Sequence, residues 1–237
     1  MDFSNKFDPY IDNIIVKEEE LRGARKIVAM RLMESYHSKV HASIWRYMEI
    51  EKLRFFKEKI GIGSIIDHFI RAVVLSLLEK PELNGICEGE TYKIFKDVDL
   101  SYAVNTSKGL VAPIIKKINK LELNDFINKK KEIISLVQNW KHSVNDIFGG
   151  TFTITNVGTY GVDLTLPIIN PPQIAILGVA RICKLNITWN LAEDPSIKEL
   201  MPVSITYDHR VIDGGKAAEF LQILQDKINK PDELWKN

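Results

Sequence analysis

The stretch TYDHRVIDGG at residues 206–215 brings together side chains that can move a proton. His209 lies directly after Asp208 and four residues before Asp213. An imidazole with a pKa of about 6.5 can accept a proton at neutral pH, and a neighbouring carboxylate can orient it. The same spacing also fits a surface histidine followed by an aspartate that begins a helix. The pattern alone leaves both interpretations open.

Other motifs that would carry chemistry are incomplete. His37 and His41 are four residues apart but lack the glutamate of a zinc-binding HExxH helix. The segment GTYGVDL has no serine at the nucleophile position of a G-x-S-x-G turn, and the chain has neither a GxGxxG nor a GxxxxGK loop. Cys87 and Cys183 fit no metal-ligand spacing, so we expect both to be buried and reduced. Zinc, serine-hydrolase, dinucleotide and P-loop sites therefore have no support.

The charge balance bears on partners and location. The 237 residues include 32 basic and 31 acidic side chains, which argues against nucleic acid as a partner because phosphate binding needs a basic excess. No stretch approaches the roughly 20 apolar residues of a membrane span, so no membrane partner is expected. The N-terminus lacks the basic and then apolar regions of a secretory signal. These features predict a cytoplasmic protein.

Residues 64–80 form the clearest helical pattern. Ser64 and Asp67 make a capping box, apolar residues recur along one broad stripe, and Pro81 ends the helix. Three more stretches show helical periodicity: residues 22–38, 121–140 and 216–229.

Alternating or continuous apolar runs predict the strands. TFTITNVG places Phe152 and Ile154 on one face, with Thr153 and Thr155 on the other. QIAILGVARI at 173–182 is nearly continuous and predicts a strand covered on both faces. Three further strand patterns span residues 43–50, 97–106 and 201–208.

The domain organisation follows from these elements. Residues 1–20 are polar and aperiodic, and they predict a linker or an N-terminal arm. No Pro/Gly/Ser linker divides residues 21–237. We therefore predict one α+β domain over 21–237, with helices packed on a mixed sheet.

Five segments, in order along the chain, resemble one family. TYDHRVIDG resembles the HxxxDG signature of dihydrolipoamide acyltransferases, the core subunits of 2-oxo-acid dehydrogenase complexes, which share their fold with chloramphenicol acetyltransferase. RKIVAMRLMES is similar to the first helix of that domain, and EKPELNG through DLSYAVNTSKGLVAPIIK to its middle section. GGTFTITNVGTYGVDLTLPIINPPQIAILGVARI is similar to a second hallmark segment that includes the NPPQ turn. The resemblance covers residues 20–237 and implies a chloramphenicol-acetyltransferase-like fold.

The resemblance implies a catalytic pair. His209 would be the general base that takes the proton from a thiol, either of coenzyme A or of dihydrolipoamide. The thiolate would then attack the acyl thioester, which fits a thiol with a pKa of about 8.5 that is mostly protonated at neutral pH. Thr155 would donate a hydrogen bond to the tetrahedral oxyanion. Coenzyme A is thus a substrate, and the lipoyl group is the other acyl carrier.

Supporting roles fall to neighbouring residues. The resemblance implies that Asp213 pairs with an arginine, Arg25 or Arg31, and holds the histidine loop in shape. Asn156 and Asp208, which adjoin the catalytic pair, are predicted to bind substrate. Asp208 and the arginine after His209 are also candidates for fixing the orientation of the histidine.

The resemblance further implies an assembly. The family places its active site in a channel between neighbouring subunits of a homotrimer, so His209 of one subunit would meet Thr155 of the next. Such trimers build cubic or dodecahedral cores, and Trp235 could anchor such a contact or pack locally. The lipoyl domain, and the domains that bind the decarboxylase and dihydrolipoamide dehydrogenase subunits, do not fit into residues 1–20. The chain is then either an excised catalytic core or an enzyme that uses a lipoyl domain supplied in trans.

Two other functions stay open at this point. One is a coenzyme A-dependent acyltransferase of the same fold that acts on a small acceptor, such as an antibiotic. The other is a structural core without activity, although the intact His209, Thr155 and Asp213 count against it. The TITN and NPPQ segments favour the pyruvate or oxoglutarate branches over the branched-chain one, and the acyl group itself is not readable.

Overall fold

The computed structural model describes residues 19–188 and 196–236, so the predicted arm lies outside it except for its last two residues. Within this part of the chain there are five α-helices: α1 (Gly23–Ser38), α2 (Glu51–Ile60), α3 (Ile65–Glu79), α4 (Leu123–Gln138) and α5 (Gly214–Ile228). The strands of the main sheet are β1 (His41–Glu49), β4 (Leu100–Tyr102), β7 (Ile114–Ile115), β8 (Phe152–Asn156), β9 (Ala175–Val179), β10 (Cys183–Ile187) and β11 (Ser196–Asp208). Two small hairpins complete the strands: β2 (Gly85–Glu88) with β3 (Thr91–Ile94), and β5 (Val104–Thr106) with β6 (Gly109–Val111).

The main sheet is mixed, as predicted. Its order is β1-β11-β9-β8-β4-β7, and β10 pairs with the first half of β11. Strand β8 runs parallel to both β4 and β9, whereas the remaining neighbours are antiparallel. The prediction of an α+β fold with helices on a mixed sheet is confirmed.

One face of the sheet carries the hydrophobic core. Helices α3 and α5 pack together on this face, and α5 also contacts β1. The predicted capping box of Ser64 and Asp67 is present, and Phe69, Val73 and Leu77 of α3 are buried. Phe152 and Ile154 of β8 face these helices with no solvent exposure, which fits the predicted alternation.

The opposite face of the sheet is polar yet mostly buried. Thr151, Thr153, Ser204 and Thr206 lie there, and they are covered by α1 and by residues 158–172. Because of this cover, β11 is buried on both faces from Leu200 to Asp208 instead of alternating between core and solvent. The strand also begins earlier than the predicted residue 201, since its first half forms a hairpin with β10.

Helix α1 lies against the covering segment through two polar contacts. The Ser35 hydroxyl donates to the Ile169 carbonyl over 2.6 Å, and the Arg31 guanidinium donates to the Pro171 carbonyl over 2.7 Å. Three apolar residues at helical spacing on α1 are open to solvent in the single chain: Ile27, Met30 and Met33 are 58%, 62% and 61% exposed. A patch of this kind marks a surface for interaction.

Two smaller points complete the fold. Cys87 is buried, as predicted, while Cys183 is only half-buried, and both are free thiols. Of the helices within residues 19–188 and 196–236, none is by itself long and apolar enough to cross a membrane, and α2 and α3 meet that criterion only together, across a bend of 115°.

Candidate active site

Thr155 lies near the end of β8, on the polar face of the sheet. Its side chain lines a cavity of about 460 Å³ between that face, α1 and the segment that follows α4. Most of the lining is apolar, with Ile27 and Leu32 contributed by α1 and Phe148 by the segment after α4. An apolar cavity with a few polar groups is typical of a small-molecule site.

The Thr155 hydroxyl differs from those of its two neighbours on the same face. The Thr151 hydroxyl donates to Asn84 Oδ1 over 2.6 Å, and the Thr153 hydroxyl lies 2.5 Å from Gln173 Oε1. The Thr155 hydroxyl makes no hydrogen bond with any residue that the structure describes. It is therefore the threonine of β8 that can donate to a ligand.

Gly178 allows the covering segment to lie close to the sheet beside Thr155. It pairs with Thr155 across β8 and β9. A Cβ atom at this position would lie 2.6 Å from Ser204 Oγ and 2.7 Å from Thr165 Cγ2, closer than side-chain atoms approach. A larger residue at position 178 would push the covering segment away from the sheet and change the shape of the cavity.

His209 follows the last residue of β11, and its side chain is exposed. The backbone N–H donates to the Val40 carbonyl over 2.7 Å, which ties the histidine to the start of β1. The ring centroid is 5.7 Å from that of Tyr207, which is buried. The imidazole therefore stands on a fixed backbone with its ring open to an incoming group.

Asp208 fixes the backbone on which His209 stands. Its carboxylate is fully buried and accepts hydrogen bonds from the Val40 N–H (3.3 Å), from the Arg210 N–H (3.2 Å) and from Arg210 Nη2 (2.6 Å). Lys39 Nζ lies 3.8 Å away and also donates to the carbonyls of Cys87 and Pro172. Burial acts to raise the pKa of Asp208, but the bonds from Arg210 outweigh it and hold the pKa below its usual value.

The two predicted catalytic side chains are far apart within one chain. Thr155 pairs with Gly178, and Gly178 pairs with Ser204 of β11. His209 lies five residues beyond Ser204, which is about 17 Å along the strand, and β11 is two strand spacings, about 10 Å, from β8. Thr155 and His209 therefore cannot act on one substrate atom in the same chain.

Comparison with known proteins identifies the family. The family model of the 2-oxoacid dehydrogenases acyltransferase catalytic domain matches residues 15–235. This chain belongs to that acyltransferase family.

Its relatives include the mitochondrial dihydrolipoyllysine-residue succinyltransferase component of 2-oxoglutarate dehydrogenase complex 1 of Arabidopsis thaliana, 36% identical over 222 residues that cover 89% of this chain and 47% of the relative. The dihydrolipoyllysine-residue acetyltransferase component of the Rickettsia felis pyruvate dehydrogenase complex is 34% identical over 87% of this chain and 52% of its own. The chain thus spans about half the length of these curated relatives.

Solved acyltransferase structures show the same fold. The dihydrolipoamide acetyltransferase of Azotobacter vinelandii superposes with a TM-score of 0.87 at 25% identity, covering 96% of this chain and 97% of its own. A probable dihydrolipoamide acetyltransferase from Listeria monocytogenes superposes with a TM-score of 0.82 at 28% identity, covering 91% of this chain and 95% of its own. A chloramphenicol acetyltransferase superposes with a TM-score of 0.54 at 16% identity, covering 93% of this chain and 99% of its own. At this identity the match bears on the fold alone. The predicted chloramphenicol-acetyltransferase-like fold is confirmed.

The predicted substrate contacts of this acyltransferase domain are placed differently in the structure. Asp208 has no exposed surface in the single chain and is held by Arg210 and Lys39 directly before His209. Its contact with substrate stays a prediction. Asn156 follows Thr155 and therefore points to the opposite face of the sheet. Its Oδ1 accepts the Gly158 N–H over 2.9 Å, which fixes the turn after β8.

Asp213 lies directly before α5 at its N-cap position and is exposed. The expected ion pair with Arg25 or Arg31 is absent from the described part of the chain, because α1 and α5 lie on opposite faces of the sheet. Arg31 instead contacts Pro171 and lies over the Phe148 ring, 4.6 Å from its centroid. The arginine–carboxylate pair of the histidine loop is formed by Asp208 and Arg210, neighbours that spacing alone could have suggested.

Proposed function

We propose that this domain transfers an acyl group between dihydrolipoamide and coenzyme A, at a site that two copies of the chain form together. The observation that carries the proposal is the separation of Thr155, open to an apolar cavity, from His209, exposed at the far end of the sheet. Each chain thus offers half of a site at two different places. A neighbouring copy can bring its His209 to the cavity that contains Thr155.

The proposed reaction needs no covalent enzyme intermediate. The His209 imidazole removes the proton from the thiol of the acceptor, and the resulting thiolate attacks the carbonyl carbon of the acyl thioester. The carbonyl electron pair moves to oxygen, and the Thr155 hydroxyl donates to this oxyanion. Collapse of the intermediate breaks the bond to the other sulfur, which takes the proton back from the imidazolium. The acyl group has then moved from one thiol to the other.

The names of similar proteins support this chemistry. The relatives from Arabidopsis thaliana and Rickettsia felis are dihydrolipoyllysine-residue succinyl- and acetyltransferases. The Azotobacter vinelandii structure was determined to define the roles of a serine, a histidine and an asparagine in catalysis, the last two four residues apart. His209 and Asp213 have that spacing, and Thr155 offers a hydroxyl as serine does.

The proposed assembly is a homotrimer within a larger cubic or dodecahedral core. A structure from Thermoplasma acidophilum, 26% identical over 91% of this chain, is a truncated catalytic core of a 2-oxoacid dehydrogenase multienzyme complex. The exposed stripe of Ile27, Met30 and Met33 on α1, beside the Thr155 cavity, is a suitable surface for a neighbouring copy. The lipoyl group would come from a lipoyl domain, and further domains would bind the decarboxylase and dihydrolipoamide dehydrogenase subunits. A cytoplasmic location stays a prediction.

One assay tests the proposed function. Acetyl-, succinyl- and branched acyl-CoA are each mixed with dihydrolipoamide, and thioester exchange is followed for the wild type and for His209→Ala. We expect transfer by the wild type with at least one donor and a loss of about a hundredfold or more in the variant. Equal rates in the two proteins exclude His209 as the base, and an active monomer in sedimentation excludes the shared site.

A further inference from the structure

Two polar side chains that the catalytic scheme does not use line the same cavity as Thr155. Trp140 and His142 follow α4, and their rings lie 5.4 Å apart. The indole Nε1 and the imidazole Nδ1 are both buried, and neither has a hydrogen-bond partner among the residues that the structure describes.

Buried nitrogens without partners are rare in folded proteins because each forfeits its hydrogen bonds to water. An indole N–H can only donate, so the missing partner of Trp140 must be an acceptor. Trp140 also has a backbone φ of 55°, in the left-handed region that favours glycine. This conformation ends α4, because the Trp140 N–H donates to the Val137 carbonyl over 3.2 Å and the Lys141 N–H donates to the Leu136 carbonyl over 2.9 Å. The end of the helix thus holds the Trp140 ring at the cavity.

The charged side chain in the cavity lining indicates the sign of that ligand. Arg31 is the sole charged side chain among the described residues that line it, and no carboxylate does. The Lys108 ammonium lies 4.5 Å from the centroid of the Trp140 ring. One cation in the lining, a second beside the Trp140 ring and two unpaired nitrogens in a mostly apolar cavity suit an anionic acceptor at the end of an apolar chain.

We propose that Trp140 and His142 bind the terminal carboxylate of a dicarboxylic acyl group, of the succinyl class, while Thr155 holds its thioester carbonyl. This inference rests on the proposed function. Because both nitrogens are shielded in the free chain, the proposed binding includes a rotation of each ring toward the acyl group. His142 takes part as its Nδ1–H tautomer, so both residues donate to the carboxylate. An acetyl group has no carboxylate to accept these hydrogen bonds, so neither residue should strengthen its binding.

The test compares succinyl-CoA with acetyl-CoA as donors to dihydrolipoamide. We expect the wild type to favour the succinyl donor in kcat/KM. Trp140→Phe keeps an aromatic ring but removes the N–H, and it should lower the succinyl-to-acetyl ratio about tenfold. His142→Leu should do the same, whereas His142→Asn keeps a donor near the position of Nδ1 and should retain most of the preference. Ile147→Val reshapes the apolar lining without touching a donor, so it should change both rates by the same factor.

Several results would overturn the inference. A wild type that prefers acetyl-CoA would contradict the inference. Equal falls in the two rates of Trp140→Phe would also contradict it, because they would show that Trp140 contacts the coenzyme A part that both donors share. Loss of the oligomer in Trp140→Phe, seen by sedimentation, assigns the residue to a subunit contact instead. If the wild type transfers no acyl group at all, the proposed function fails, and calorimetric titration with the two donors still decides this inference. Tighter binding of succinyl-CoA supports it, and equal affinities contradict it.

Discussion

Thr155 and His209 lie toward opposite ends of one sheet. The register runs from Thr155 through Gly178 to Ser204, and the histidine is five residues farther along β11. Each residue is nonetheless accessible to a substrate. The Thr155 hydroxyl faces a cavity and bonds to no described residue, and the His209 imidazole is exposed beside the ion pair of Asp208 and Arg210. A shared site between copies reconciles these two facts.

A mixture of two inactive variants should recover activity if the site is shared. Co-expression of Thr155→Ala with His209→Ala gives mixed oligomers in which some interfaces join an intact Thr155 to an intact His209. With random mixing, about a quarter of the sites are complete, so about a quarter of the wild-type rate is expected. Thioester exchange by the co-purified oligomers measures this. Activity no higher than that of the separate variants would show that both side chains act from one chain.

Thr155→Ala should lower kcat by about 100- to 1,000-fold, the usual effect of removing one oxyanion donor. Its hydroxyl bonds to no described residue, so the unfolding free energy should change little. Thr155→Ser keeps the hydroxyl and should recover most of the rate. The control is Thr153→Ala, which removes the hydroxyl beside Gln173 and should affect stability more than turnover. If Thr155→Ala and Thr155→Ser are equally slow, the hydroxyl is not the donor.

Asp208→Asn should weaken both the fold and the placement of the base. The change leaves the charges of Arg210 and of the buried Lys39 without their carboxylate partner. We expect a loss of about 2 kcal/mol in unfolding free energy, less than for a fully buried pair because the Arg210 side chain is 36% exposed. We expect kcat to fall while KM changes little if Asp208 positions His209 without contacting substrate. Urea unfolding and steady-state kinetics provide the two measurements.

The same carboxylate predicts how stability depends on pH. Because the pKa of Asp208 is lowered in the folded chain, its contribution is complete above the ordinary aspartate pKa of about 3.9 and is lost as the pH falls below that value. As the pH falls below about 4, the wild type should lose stability more steeply than Asp208→Asn. Parallel slopes for the two proteins would mean that Asp208 titrates alike in the folded and unfolded chains.

Trp235→Ala should destabilise the chain without dissociating the oligomer. Trp235 Nε1 donates to His68 Nδ1 over 3.1 Å, its ring stacks on Phe126, and Arg71 lies 5.0 Å from its centroid. These contacts indicate local packing rather than an anchor between trimers. A loss of about 2 kcal/mol is expected in chemical unfolding, with an unchanged sedimentation coefficient. An assembly that falls apart at full stability would restore the anchor interpretation.

Local sequence patterns predicted the elements well where local physics decides them. The capping box at Ser64, the stop at Pro81 and the two faces of β8 are all present. These features depend on a few neighbouring residues, whose spacing is visible in the sequence.

Long-range contacts account for what the patterns could not predict. Arg31 was a candidate partner for Asp213, yet it contacts Pro171, which is 140 positions away. The unpaired nitrogens of Trp140 and His142 could not be predicted from the sequence, because their burial depends on the distant segments that line the cavity. Such features depend on which segments the fold brings together, and spacing does not encode that directly.

Helix α1 contributes to both half-sites of its own chain. Arg31 lines the cavity of Thr155, while Lys39, the first residue after the helix, holds Asp208 beside His209. In a ring built as proposed, that cavity and that histidine belong to two different catalytic centres. A ligand that shifts α1 on entering one centre therefore also shifts the base that serves the next. In that arrangement α1 would connect neighbouring centres, and their turnover need not be independent.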